Sequence, residues 1–134
     1  MNYSRIVLFS VGLYLLLVAL STIATLIVGA DEAIIISKSF FVTLHVIGFV
    51  FSLFMYIYLA YKEETKPYLQ AILVALIYWT ISLNVSLLLY FSLGIPFEPI
   101  VYLFPVLLHV IAILLGTLFG IQLRQKRGLG VTAI

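Results

Sequence analysis

The sequence predicts an all-α integral membrane protein, a bundle of four transmembrane helices. Three observations predict it. Of 134 residues, 65% are hydrophobic and only 9% charged, with a mean hydropathy of +1.29. No soluble domain of this size hides that much apolar surface. Four apolar runs each reach the ~20 residues that a helical span needs. The charged residues fall between or outside those runs. Helices satisfy their own backbone groups in lipid, so each run reads as a helix and residues 1–134 as one transmembrane domain.

The first span covers Ile6–Val28. Arg5 before it and Val28-Gly29-Ala30 after it pass loosely for a signal peptide. Its apolar run is long for such a segment, so it reads as a retained helix. The second span covers Ser39–Ala60, the third Leu69–Leu93 and the fourth Ile100–Leu123. No span is broken by proline or by paired charges at the midplane, which argues against a transporter.

Charge sets the orientation. Four spans put both termini and the middle loop on one side. That side holds Arg5, Lys62, Lys66, Arg124, Lys126 and Arg127; the other holds Lys38, with Asp31, Glu32 and Glu98. Basic residues mark the cytoplasmic face, so the expectation is a multi-pass protein of the cell membrane with cytoplasmic N- and C-termini. Tyr56, Tyr58, Tyr61 and Tyr68 then lie near the inner boundary, with Phe97, Tyr102 and Phe104 near the outer one, as an aromatic belt requires.

The chain repeats internally. A 64-residue shift lays Val42-Thr-Leu-His45 on Val106-Leu-Leu-His109, Val46-Ile47 on Val110-Ile111, Lys62 on Lys126 and Tyr14 on Tyr78. The reading is a duplicated two-helix hairpin. His45 and His109 are the only histidines. An ionisable residue inside a span is costly and is a functional candidate by default. The second and fourth spans run parallel, and each His lies about seven residues, or ~10 Å, from the outer end of its helix. The two rings are therefore expected at the same depth in the outer leaflet. If those helices face each other across the bundle, the rings converge on one point.

Small residues follow both histidines on the same helical face: Gly48 and Ser52 after His45, and Ala112, Gly116 and Gly120 after His109. Close helix packing explains such a stripe plainly. Clearance for a flat macrocycle explains why it accompanies His in both halves. Asn84 in the third span, with Ser21 and Thr22 in the first, lies at similar depth and could accept from the second N–H of a ligand imidazole. Such residues also commonly bond their own helix or a neighbouring one.

The donor set narrows the ligand. Zinc or copper usually takes three or four protein ligands, and no Cys, Asp or Glu lies in the spans. Haem iron can be held by two axial groups. The expected cofactor is one haem on His45 and His109, non-covalent because the chain has no cysteine, and so b-type or an a- or o-type variant, with b-type preferred. A buried His that merely bonds a neighbouring helix is the alternative.

Four membrane helices with one His on the second and one on the fourth resemble membrane b-type cytochromes, in particular one half of the haem A synthase family. The resemblance rests on the bundle plan and on Leu44-His45-Val46-Ile47 and Leu108-His109-Val110-Ile111. It implies haem ligation by those two histidines. That family has a Glu shortly before its helix-2 His, where this chain has Phe41, Val42, Thr43 and Leu44, and loop cysteines that are absent from this chain. Synthase activity is therefore not carried over.

The expected function is electron transfer by a cytochrome subunit of a respiratory or quinone-linked complex. Its partners would be the lipid bilayer, other membrane subunits and quinone. With both axial positions filled, no site is left for oxygen chemistry. Nothing points to nucleic acid. Glu98 is a candidate proton acceptor from quinol, although an ordinary loop carboxylate is the plainer reading, and Lys38 and Tyr102 are candidate propionate contacts. The alternative from another class is a cofactor-free accessory subunit of a larger membrane complex.

Overall fold

The computed structural model describes residues 3–29, 31–94 and 99–128. Among them are five helices and no strand: α1 (Tyr3–Ile27), α2 (Glu32–Ile35), α3 (Lys38–Lys62), α4 (Pro67–Leu93) and α5 (Pro99–Lys126). The four long ones are long and apolar enough to cross a membrane. They form an all-α four-helix bundle, as the apolar runs predict. Each begins or ends within three residues of its expected bound.

Local chemistry sets the ends. Asp31 caps α2, accepting from the backbone N–H of Ala33 at 2.9 Å. Ser37 caps α3, accepting from Phe40 N–H at 3.2 Å. The Asp31 cap opens the single-turn α2, an element the apolar runs do not announce. Pro67 opens α4, where its missing N–H is no loss. Gly94 ends α4 at φ 64°, a left-handed conformation that costs glycine little, and its N–H bonds the Tyr90 carbonyl. Pro105 lies inside α5 in its second turn, and the helix runs on through it.

Packing joins equivalent elements of the two halves. α3 and α5 are in backbone contact. A Cβ on Gly116 would stand 2.7 Å from Tyr56 Cβ and 2.9 Å from the Leu53 carbonyl oxygen. One on Gly120 would stand 2.5 Å from the Ile57 carbonyl oxygen and 2.7 Å from Ala60 Cβ. α1 and α4 meet at positions related by the 64-residue shift. The Ser10 hydroxyl donates to the carbonyls of Ile6 (2.8 Å) and Val74 (3.2 Å), and the Tyr14 and Tyr78 rings lie 6.3 Å apart. Ser10 and Val74, and Tyr14 and Tyr78, are each 64 residues apart, the shift of the sequence repeat.

The core is small, with Ile6, Leu13, Tyr56, Leu59, Ala71, Val74, Ala75, Ala112 and Ile113 at its centre. Apolar side chains cover the outside, the distribution expected of a lipid-facing surface. A charged cluster ties one end together. Arg5 Nη1 meets Glu63 Oε1 at 2.6 Å, the Gln70 amide donates to Glu63 Oε2 at 2.7 Å, and Arg124 pairs with Glu64 at 3.0 Å. Arg124 also donates to the Tyr61 carbonyl, and Arg127 to the Tyr61 hydroxyl.

Candidate functional site

Both histidines line one cavity of about 240 Å³ in the half of the bundle away from the charged cluster. All four long helices contribute: Leu17, Leu20 and Ser21 from α1; Leu44, His45, Gly48, Phe49 and Ser52 from α3; Tyr78 from α4; Pro105, Leu108 and His109 from α5. The two rings thus share one space.

The two rings are held differently. His45 is half-buried, packed on Phe41 at 4.2 Å between centroids, with Phe104 at 6.3 Å. Its Nδ1 lies 2.7 Å from the Phe41 carbonyl. A carbonyl only accepts, so Nδ1 donates, and in the neutral tautomer this selects, Nε2 is the acceptor. His109 is buried at 7% exposure. Its ring stacks on Tyr78 (4.8 Å, 6° between planes), stands edge-on to Tyr56 (5.5 Å) and lies 5.7 Å from Trp79. Its Nε2 is 2.8 Å from the Tyr56 hydroxyl.

Tyr56 does not belong to an interfacial belt. It is buried at 1% exposure and ties α3 to the His109 ring. Tyr78, which the sequence marks only as a repeat position, and Trp79 complete the aromatic surround. An α-helical count gives the signal that finds Tyr56. It lies four and eight residues beyond Ser52 and Gly48, on the cavity face of α3.

The rings also differ in depth. Gly116 packs on Tyr56 and Gly120 on Ala60, each pair 60 residues apart, whereas the repeat shift is 64. α5 is thus displaced by about one turn, or ~5 Å, and His109 sits that much nearer the charged end than His45.

The remaining candidates divide. Gly48 and Ser52 line the cavity, and Gly48 also admits Leu17, whose Cδ2 would lie 3.3 Å from an added Cβ. Ala112 and Gly116 do not line it. Ala112 is fully buried in the core and Gly116 is pressed against α3, so their small size serves helix contact rather than clearance for a macrocycle. Asn84 is no partner of either imidazole. It is exposed, and its amide donates to the Thr80 carbonyl of its own helix at 2.7 Å. Thr22 likewise bonds the Val18 carbonyl, while Ser21 reaches the cavity. Lys38 is exposed at the start of α3. Glu98 and the Tyr102 side chain lie outside the described residues.

No protein-family model matches the chain, and no related curated protein or similar solved structure was found. The likeness to haem A synthase thus rests on the bundle plan and the two histidine phrases alone.

Proposed function

We propose that the chain is a membrane electron-transfer subunit that binds one haem b between His45 and His109. The observation that carries this reading is the convergence of the only two histidines on a single cavity lined by all four spans. The donor chemistry fits. The Phe41 carbonyl orients His45 with Nε2 as acceptor, the usual arrangement of a ligand imidazole. Among the described residues, no group of three His, Cys, Asp or Glu stands ready for a bare metal ion. Bound there, haem would supply a one-electron carrier; the chain's part is to ligate it, exclude water and hold it away from the charged cluster. In this reading the charged cluster lies at the cytoplasmic face of the cell membrane, which the bias of basic residues supports. It calls for a membrane quinone and neighbouring respiratory subunits as partners.

Two features oppose the fit and favour a second reading. The cavity of about 240 Å³ is below the size usual for cofactor sites, ≈ 300–1,000 Å³. The Tyr56 hydroxyl occupies His109 Nε2. Haem binding therefore requires this half of the bundle to widen and Tyr56 to release the nitrogen. Without haem, the Tyr56–His109 bond is a helix-joining contact, and the chain is a cofactor-free accessory subunit.

A reduced-minus-oxidised visible spectrum of the purified protein, with haem extraction, separates the two. The cytochrome reading expects about one haem per chain and a low-spin spectrum that both His45→Ala and His109→Ala abolish. A folded protein that neither retains nor takes up haem overturns it.

A further inference from the structure

The cavity is lined by polar groups that the bundle itself leaves unpaired. Ser52 is 2% exposed and lines the cavity, yet its hydroxyl makes no hydrogen bond among the described residues. The hydroxyl of Ser21, contributed by α1, makes none either. Elsewhere in the spans Ser10, Thr22, Thr25 and Thr80 each donate to the carbonyl four residues earlier. His45 spends Nδ1 on the Phe41 carbonyl, and its Nε2 has no partner among the described residues. Polar groups left unpaired away from water are costly, and three around one space point to an occupant that supplies hydrogen bonds.

Size and spacing describe the occupant. An apolar cavity of roughly 150 Å³ takes a benzene ring. The present one, at about 240 Å³ and walled by Leu17, Leu20, Phe49 and Leu108, has room for a ring that carries oxygens and small substituents. His45 and Ser52 share one face of α3, seven residues or ~10 Å apart along the helix. One water on two hydrogen bonds of ~2.8 Å spans only about 6 Å. A six-membered ring with oxygens at opposite corners, bonded at both ends, suits the longer distance.

The histidine also selects a redox state. In the neutral tautomer its one N–H is taken by Phe41, so Nε2 only accepts. A quinone carbonyl would meet it lone pair to lone pair, whereas a quinol hydroxyl donates to it. The Ser52 hydroxyl can serve either form. We propose that the haem-free cavity binds the head of a quinol, with one hydroxyl donating to His45 Nε2 and the other meeting Ser52, and that it prefers quinol to quinone. The proposal rests on the quinone-linked reading above but not on its haem, because the site is that of the bundle with Tyr56 still on His109. Haem, which must widen this half of the bundle, and quinol exclude each other.

The test is anaerobic titration calorimetry of haem-free protein in lipid nanodiscs, with tetramethylhydroquinone and, separately, tetramethylbenzoquinone. Saturable binding at one site per chain is expected, about tenfold tighter for the hydroquinone. His45→Leu should remove that preference, and Ser52→Ala should weaken both forms. Equal or tighter binding of the quinone overturns the proposal. So does a preference that survives His45→Leu, or unchanged binding in Ser52→Ala. Absence of saturable binding by either form means that water alone fills the cavity, and overturns it too. Comparing the two redox forms needs no variant, so it decides even if His45→Leu fails to fold. A protein that takes up no haem yet keeps the quinol preference sinks the cytochrome reading alone; one that takes up haem and shows no preference sinks only this proposal.

Discussion

Tyr56 lies eleven residues beyond His45 on α3, yet its hydroxyl bonds the other histidine. The one-turn displacement of α5 makes this reach possible, because it lowers His109 toward the Tyr56 ring. Tyr56→Phe keeps the ring and its edge-on contact with His109 while removing the hydroxyl. In haem-free protein it leaves a buried imidazole nitrogen unsatisfied, and stability should fall by about 1–3 kcal/mol, measured by unfolding in mixed micelles. Haem affinity should move the other way, since Nε2 then has no competitor; a titration followed by visible absorbance reads this directly. Lower affinity in the variant would mean that the hydroxyl helps to hold the haem and does not compete with it. The two histidines were legible in the sequence because an imidazole in an apolar run has few bland explanations. Tyr56 was not, because a tyrosine near a span's end is already explained by the membrane interface. Asn84 misled for a related reason. Depth along a span says nothing about which way a helix face turns, and this one turns outward.

At the scale of the helices, the contact between α3 and α5 is made by glycine. The Cβ that Gly120→Ala adds would sit 2.5 Å from a backbone oxygen, that of Ile57, which no rotamer change relieves. The helices must separate, and the expected cost is about 1–3 kcal/mol. Gly12 in α1 is the internal contrast, because nothing lies within 4 Å of the Cβ that Gly12→Ala adds. There the substitution should be neutral or stabilise by about 0.5–1 kcal/mol, since it only removes backbone freedom from the unfolded chain. Equal effects in dodecyl sulfate titrations would mean that the α3–α5 contact is not close-packed. The four long helices were legible because length and hydropathy alone define a span. Their partners were not, since an apolar helix in lipid shows no polar face to orient it. The small residues carried that information, and it read two ways. Gly116 and Gly120 are the helix contact, whereas Gly48 and Ser52 border the cavity.

Over the whole molecule, polarity is divided between two places. One is the cavity, with two imidazoles on a largely apolar wall; the other is the charged cluster that fastens the opposite end. Arg5 and Arg124 belong to ion pairs in the folded bundle. Orientation, however, is set as the helices insert, before those pairs form, so both residues count fully as basic residues flanking spans. Six of the seven basic residues flank the spans on the side of the charged cluster, and only Lys38 lies on the other. That bias predicts a cytoplasmic charged end. The absence of cysteine makes the prediction simple to check, because any introduced thiol is the sole reporter. Ala33→Cys lies in α2 at the opposite end and Thr65→Cys in the turn before α4; both positions are exposed, and neither change alters the charge. A membrane-impermeant maleimide applied to intact cells should label the first and reach the second only after permeabilisation. The reverse pattern would invert the bundle and place the histidine cavity in the cytoplasmic leaflet. An electron carrier there would have to serve a partner on the inner face.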